Sequence, residues 1–85
     1  MGIIEITDFK KELEDLPAKI IKLYQKQKKL FNINWLDSRL HVKRIKEFAG
    51  VYSFRITRRY RVLFYFKDSG AVFFKIGHRK DVYEE

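Results

Sequence analysis

The chain has no cysteine in its 85 residues, which excludes disulfide scaffolds, thiol nucleophiles and Cys-based zinc sites together. That absence fits a reducing compartment. Proline occurs once, at Pro17, and no Gly/Ser-rich or repetitive tract interrupts the sequence, so nothing marks a linker or a domain boundary. No stretch approaches the roughly 18 uninterrupted apolar residues of a membrane span. The opening residues Met1-Gly2-Ile3-Ile4-Glu5 lack the charged and apolar blocks of a secretory leader. These absences predict a single domain over residues 1–85, cytoplasmic and without a membrane partner. Histidines or carboxylates at ligand spacing are also missing, as are a Gly-rich phosphate loop, a nucleophile elbow and a dinucleotide fingerprint. Neither a metal nor another cofactor is expected.

Negative charge is scarce as well: 11 Asp and Glu stand against 19 Lys and Arg, a net charge of +8. Such a balance makes nucleic acid a leading partner class, although ribosomal proteins and membrane-surface binders share it. What the chain does have is aromatic mass, with eight Phe and five Tyr and 46% hydrophobic residues overall. That is enough large side chain to fill one core in a chain this short.

The apolar spacing changes near residue 42, from helical to alternating. Ile3 to Ile6 reads as a short strand, with Thr7 or Asp8 able to cap the following helix. Phe9, Leu13 and Leu16 make one helical face. After Pro17, a helix start or break, Ile20, Leu23, Tyr24, Leu30 and Phe31 make another, suggesting a helical hairpin. Residues 32–41 read as a loop with a helical turn, in which Trp35, Leu36 and Leu40 need burial. Four strands follow, Lys43 to Phe48, Val51 to Thr57, Tyr60 to Lys67 and Ala71 to Gly77, linked so tightly that they form an antiparallel meander. The fold class is α+β: an N-terminal strand and helical hairpin packed on a C-terminal antiparallel sheet.

Alternation puts Tyr52, Phe54 and Ile56 on one face of their strand and Val62, Phe64 and Phe66 on one face of the next. For these to share a core, opposed residue numbers must sum to an even value, for example Thr57 opposite Arg61, across an odd-length turn or bulge near Arg58 to Tyr60. Asp68-Ser69-Gly70 reads as a three-residue turn with Gly70 left-handed, setting Phe66 against Val72 and Phe64 against Phe74. Ala49-Gly50 as a two-residue turn sets Ile45 opposite Phe54 and Lys46 opposite Ser53.

The other face of the sheet then carries Arg44, Lys46, Ser53, Arg55, Arg61 and Lys75, interleaved with Tyr65 and Phe73, and Arg79 continues from the last strand. Arg55 falls diagonal to Arg61, and Arg61 beside Gly77, whose missing side chain leaves room for a ligand. Like charges placed as cross-strand neighbours are destabilising. A solvated basic face is one explanation; a floor of guanidinium forks matched to phosphate oxygens is the other. His78-Arg79-Lys80-Asp81-Val82-Tyr83 adds an imidazole, two cations and a phenol, and exposed rings near a phosphate site suit stacking of unpaired bases. His41 reads as structural or exposed.

The run Val51-Tyr52-Ser53-Phe54-Arg55-Ile56, then Tyr60-Arg61-Val62-Leu63-Phe64-Tyr65, then Ile76-Gly77-His78-Arg79-Lys80-Asp81-Val82-Tyr83 resembles the RelE/ParE toxin superfamily over about the last 40 residues. The resemblance implies a RelE-like fold and the toxin of a toxin–antitoxin pair, with an acidic antitoxin segment, the ribosome and messenger RNA as partners. Its ribonuclease branch implies cleavage of messages by attack of a ribose 2′-OH on phosphate. Arg61 would match the central catalytic arginine, Arg79 the arginine after the last strand and Tyr83 the C-terminal tyrosine, while Arg55 takes a basic strand position. Ser53 departs from the pattern by standing where a lysine is common, which leaves His78 or Lys46 as the base. Arg44, Lys46, Ser53, Lys75 and Lys80 would hold RNA phosphates. Two other readings stay open here: a gyrase-poisoning toxin of the ParE branch, and an RNA-binding relative without catalysis.

Overall fold

A computed structural model describes residues 2–83. The elements run β1 (Gly2–Glu5), α1 (Thr7–Glu14), α2 (Ala18–Ile33), a 3-10 turn (Ser38–Leu40), β2 (Lys43–Arg44), β3 (Val51–Arg55), β4 (Tyr60–Lys67), β5 (Gly70–His78) and α3 (Arg79–Val82). They build one five-stranded sheet of order β1-β5-β4-β3-β2, in which β2 to β5 form the antiparallel meander and β1 adds in parallel beside β5. The α+β architecture expected from the spacing is the one observed. No helix among the described residues is long and apolar enough to cross a membrane.

The two main helices cover one face of the sheet because their apolar stripes have nowhere else to go. Phe31 of α2 lies edge-on to Phe64 and Phe73, with ring centroids 5.0 Å away in each case, and 5.4 Å from Phe54. Phe9, Tyr24, Leu40 and Val62 complete a fully buried centre. Each such side chain contributes roughly 1.5–3 kcal/mol by leaving water. Trp35 packs edge-on against Phe66 at 4.9 Å, but Leu36 is 63% exposed, so only two of the three apolar residues in that loop found cover. The chain turns at Asn34, whose side-chain oxygen accepts from the Leu36 N–H at 3.1 Å and holds that residue outward.

Neither Thr7 nor Asp8 caps α1. The N-cap is Ile6, still extended and donating its N–H to the Phe73 carbonyl at 3.3 Å, so the chain passes from strand to helix without a spare residue. Pro17 does occupy the N-cap of α2, where its carbonyl accepts from Ile20 and Ile21. Two polar residues enter the core side. The buried Tyr24 hydroxyl donates to the Glu5 carboxylate, itself 3.2 Å from the Lys28 ammonium; burial, reinforced by that hydrogen bond and by the Glu5 charge, raises the phenol's pKa. Gln27 donates from its amide nitrogen to the Arg39 and Arg55 carbonyls at 3.1 and 2.9 Å, tying α2 to the 3-10 turn and to the end of β3.

The β4–β5 hairpin departs from expectation halfway along. Near its open end the register is as anticipated, with Arg61 opposite Gly77 and Val62 opposite Ile76, but a bulge between Leu63 and Phe64 then sets Phe64 against Phe73. Phe73 is therefore core, and Phe74 lies on the opposite face against Tyr65, reversing the expected assignment of both. The turn shortens to Asp68-Ser69, and Asp68 (φ 57°) takes the left-handed conformation expected of Gly70. Gly70 serves a different purpose: a Cβ there would stand 2.7 Å from the Gly2 carbonyl oxygen, so its absence lets β1 dock.

Candidate functional site

Even parity holds between β3 and β4, but the register sits two residues from the expected example: Arg55 faces Arg61 directly rather than diagonally. The turn between them is Thr57-Arg58-Arg59. Ile56 donates to the Tyr60 carbonyl at 2.9 Å, and the Thr57 hydroxyl accepts from the Arg59 and Tyr60 N–H groups at 3.1 and 3.2 Å. Direct opposition of two guanidinium-bearing residues is less favourable than the diagonal placement. The Arg61 side chain bends back to donate to the Thr57 carbonyl at 3.3 Å.

At the sheet edge the hairpin does not close through Ala49-Gly50. Lys43 stands opposite Ser53 and Arg44 opposite Tyr52, and Ile45 donates to the Val51 carbonyl at 2.9 Å across a five-residue loop containing Gly50 at φ 78°. Lys46 is thereby displaced from Ser53 into the loop, and Ile45 leaves the expected core face for a second apolar cluster with Leu63 and Val82.

That second cluster builds the site. A Cβ on Gly77 would lie 3.5 Å from a Val82 methyl, so the space expected for a ligand is filled by α3 folding back over the sheet. Val82 is buried, and the next residue, Tyr83, is carried over the sheet, where its hydroxyl stands 3.4 Å from the Ser53 hydroxyl. Ser53 is almost wholly buried, and Tyr83 remains 42% exposed with a face free for contact.

A cleft of about 630 Å³ is lined by Arg61, Arg79, Tyr83 and the Lys43–Glu47 segment. Arg44 and Lys46 belong to that segment, whereas Arg55, Ser53, Lys75, His78 and Lys80 do not line the cleft. Lys75 is drawn to Glu12, whose carboxylate lies 3.8 Å away and also accepts from the Ile76 N–H, an edge group left open because β1 stops opposite Phe73. His78 faces the helix side with Tyr60, ring centroids 5.6 Å apart, and its Nδ1 accepts from Lys80 N–H as the N-cap of α3. Lys80 is exposed on α3. Lys43 and Glu47 were missed by sequence reasoning, which followed a strand through to Phe48; Gly50 alone hinted at a looser connection.

Among the described residues, no ion pair engages Arg44, Arg55, Arg61 or Arg79, and no group of three or more His, Asp or Glu side chains is placed to hold a metal. The cleft thus offers three guanidinium groups, two lysine ammonium groups and a phenol against a single carboxylate, Glu47. Cations in such excess suit phosphate and the charge that develops on its oxygens.

No family model matches the chain, and no curated protein matches it. Solved structures do. The RelB-RelE antitoxin-toxin complex from Methanococcus jannaschii contains a chain 26% identical, with 94% of each chain covered and a TM-score of 0.76. The YoeB/ParE toxin from Agrobacterium tumefaciens is 14% identical over 93% of this chain and 99% of its own (TM-score 0.78). YafQ from E. coli is 11% identical over 98% of both chains (TM-score 0.81).

Proposed function

We propose that the chain belongs to the RelE/ParE toxin superfamily, that it is the toxin of a toxin–antitoxin pair, and that it cleaves messenger RNA on the ribosome, a reading supported by its likeness to the solved toxin structures. The observation that carries this reading is the convergence of Arg61, Arg79 and Tyr83 on one cation-lined cleft. A poison acting by protein–protein contact has no need of an unpaired guanidinium pair beside a partly exposed phenol.

In the proposed reaction the ribose 2′-oxygen attacks the adjacent phosphorus as the P–O5′ bond breaks, giving a 2′,3′-cyclic phosphate and a free 5′-hydroxyl. Arg61 and Arg79 stabilise the negative charge that builds on the non-bridging oxygens. Tyr83, steadied by Ser53, stacks on a base or hands a proton to the departing oxygen. Of the two candidate bases, Lys46 lines the cleft beside Lys43 and the Glu47 carboxylate and would have to shed its own proton before taking one from the 2′-hydroxyl, whereas His78, turned to the helices, does not line it. Arg55, paired across the ladder with Arg61, acts as a positioning residue. A cognate antitoxin would lay an acidic segment against a molecule of net charge +8, and the setting would be the cytoplasm.

The test is cleavage on programmed ribosomes by Arg61→Ala and Arg79→Ala. Each should lower the rate about 10²–10³-fold, the usual cost of one oxyanion-stabilising donor. Folded variants that both cut at the parental rate would overturn the proposal.

A further inference from the structure

Arg79 lines two cavities. Besides the main cleft it forms, with Arg58 and Arg59, a separate notch of about 290 Å³ at the β3–β4 turn. The geometry points to this notch as a second phosphate site, which holds the backbone phosphate of a nucleotide flanking the one that is cut. The inference rests on the RNA-cleaving reading of the main cleft and extends it to residues outside that cleft.

The notch is built rather than incidental. The Thr57 hydroxyl accepts from the Arg59 and Tyr60 N–H groups, fixing the turn's backbone, and the Arg59 carbonyl accepts from the Arg79 N–H at 2.6 Å, clamping the turn to the start of α3. Arg61 donates to the Thr57 carbonyl at the turn's other end. The turn and α3 thus hold one relative position, and the guanidinium-bearing residues converge on a fixed space. Among the described residues no carboxylate forms an ion pair with Arg58, Arg59 or Arg79. Three exposed like charges gathered at one turn repel one another, and a bound anion relieves that repulsion.

A phosphodiester strand fits better than an isolated anion because the two cavities share Arg79. One strand lying across that residue places successive phosphates on either side of it, each met by planar forks suited to phosphate oxygens. Single-strand binding of this kind is read as salt dependence, since each phosphate neutralised releases counterion.

The experiment titrates the full-length protein with a fluorescent all-2′-O-methyl RNA octamer, which lacks the attacking hydroxyl, from low to moderate salt. Arg58→Gln/Arg59→Gln should flatten the slope of log K against log [salt] by about 0.7, the effect of one phosphate contact on a single strand. In parallel, cleavage on programmed ribosomes should show raised KM with kcat unchanged. An unchanged slope, or no measurable octamer binding by the parent, overturns the inference. So does a double variant that loses affinity for an acidic antitoxin peptide while binding the octamer normally. Arg61→Ala separates this from failure of the underlying reading: if Arg61→Ala still cuts while the double variant flattens the slope, the notch binds RNA and the catalytic assignment falls.

Discussion

Gln27→Met isolates the one polar side chain that, among the described residues, joins the helical layer to the strand bearing Arg55. Gln27 is 8% exposed, and its one amide nitrogen satisfies two carbonyls, Arg39 at 3.1 Å and Arg55 at 2.9 Å. Methionine has nearly the same length and volume, so packing is kept and the donor alone is removed. Both contacts are only part-buried, so each carbonyl left without a partner costs about 1–2 kcal/mol, the lower part of the usual range, and the pair together about 2–4 kcal/mol. For a chain of this size each kcal/mol moves the melting temperature by about 4–8 °C, so Gln27→Met should melt roughly 8–32 °C below the parent. Urea unfolding should show a lower midpoint at unchanged slope, the mark of lost stability rather than a changed unfolded state. Gln27→Glu supplies a control with a sign. Facing two carbonyls, the new carboxyl has its pKa raised on folding, so the variant's stability is best below the ordinary glutamate pKa of about 4.3 and is lost as pH rises through the raised value. At neutral pH it should therefore melt below Gln27→Met. A Gln27→Met melting point within about 4 °C of the parent, under 1 kcal/mol, would refute the claim that those carbonyls depend on this residue.

Other perturbations give smaller but equally directed effects. Tyr24 keeps its proton in the folded state while the unfolded tyrosine loses it near pH 10. Stability should accordingly fall by about 1.4 kcal/mol per unit above that pH, and Tyr24→Phe should remove that part of the alkaline slope; equal slopes in urea titrations at pH 9.5 to 11 would count against the buried phenol. Gly70→Ala forces a Cβ to 2.7 Å from the Gly2 carbonyl oxygen and should cost about 1–3 kcal/mol, whereas Gly77→Ala meets only an ordinary 3.5 Å contact with Val82 and should be tolerated within about 0.5 kcal/mol. Thermal melts that reverse this order would show that Gly70 does not gate the docking of β1. Tyr83→Phe deletes the hydroxyl near Ser53 but keeps the ring, so ribosomal cleavage should fall by about 10²-fold if proton transfer is its task and hardly at all if it stacks.

The helical hairpin and the meander were legible because their apolar residues keep one period over many residues. Phe9, Tyr24 and Phe31 had no competing placement, and neither did Phe54, Val62 and Phe64. β5 was not legible in the same way: Ala71-Val72-Phe73-Phe74 is apolar at every position, so a one-residue shift changes which ring is buried without exposing a charge. A bulge in such a run leaves no trace in its pattern. The Ala49-Gly50 turn failed for a related reason. Ile45 could be buried on either face, since α3 supplies a second apolar cluster there, and the loop could lengthen without stranding it. Asp68 rather than Gly70 takes the positive φ because the bulge leaves a two-residue turn, and the glycine is then required by a strand that arrives from the other end of the chain.

The basic residues themselves were all visible in the sequence, but their grouping was not, because it depends on α3 rather than on the sheet. Alternation alone places Lys75 on the same face as Arg61, yet Glu12 draws it to the edge. Alternation also sets Gly77 beside Arg61 as an apparent vacancy, and Val82 occupies it. That one packing contact has three consequences for the site. It buries Val82 against Ile45 and Leu63, so the β2 loop is held beside the sheet. It brings the Tyr83 hydroxyl to the Ser53 hydroxyl from 30 residues away. It also fixes the start of α3, where the Arg79 N–H meets the Arg59 carbonyl, so that Arg79 stands between the main cleft and the arginine notch. The face proposed to grip phosphate is therefore made by a four-residue helix packing into the space a glycine leaves, and the sheet supplies only its floor.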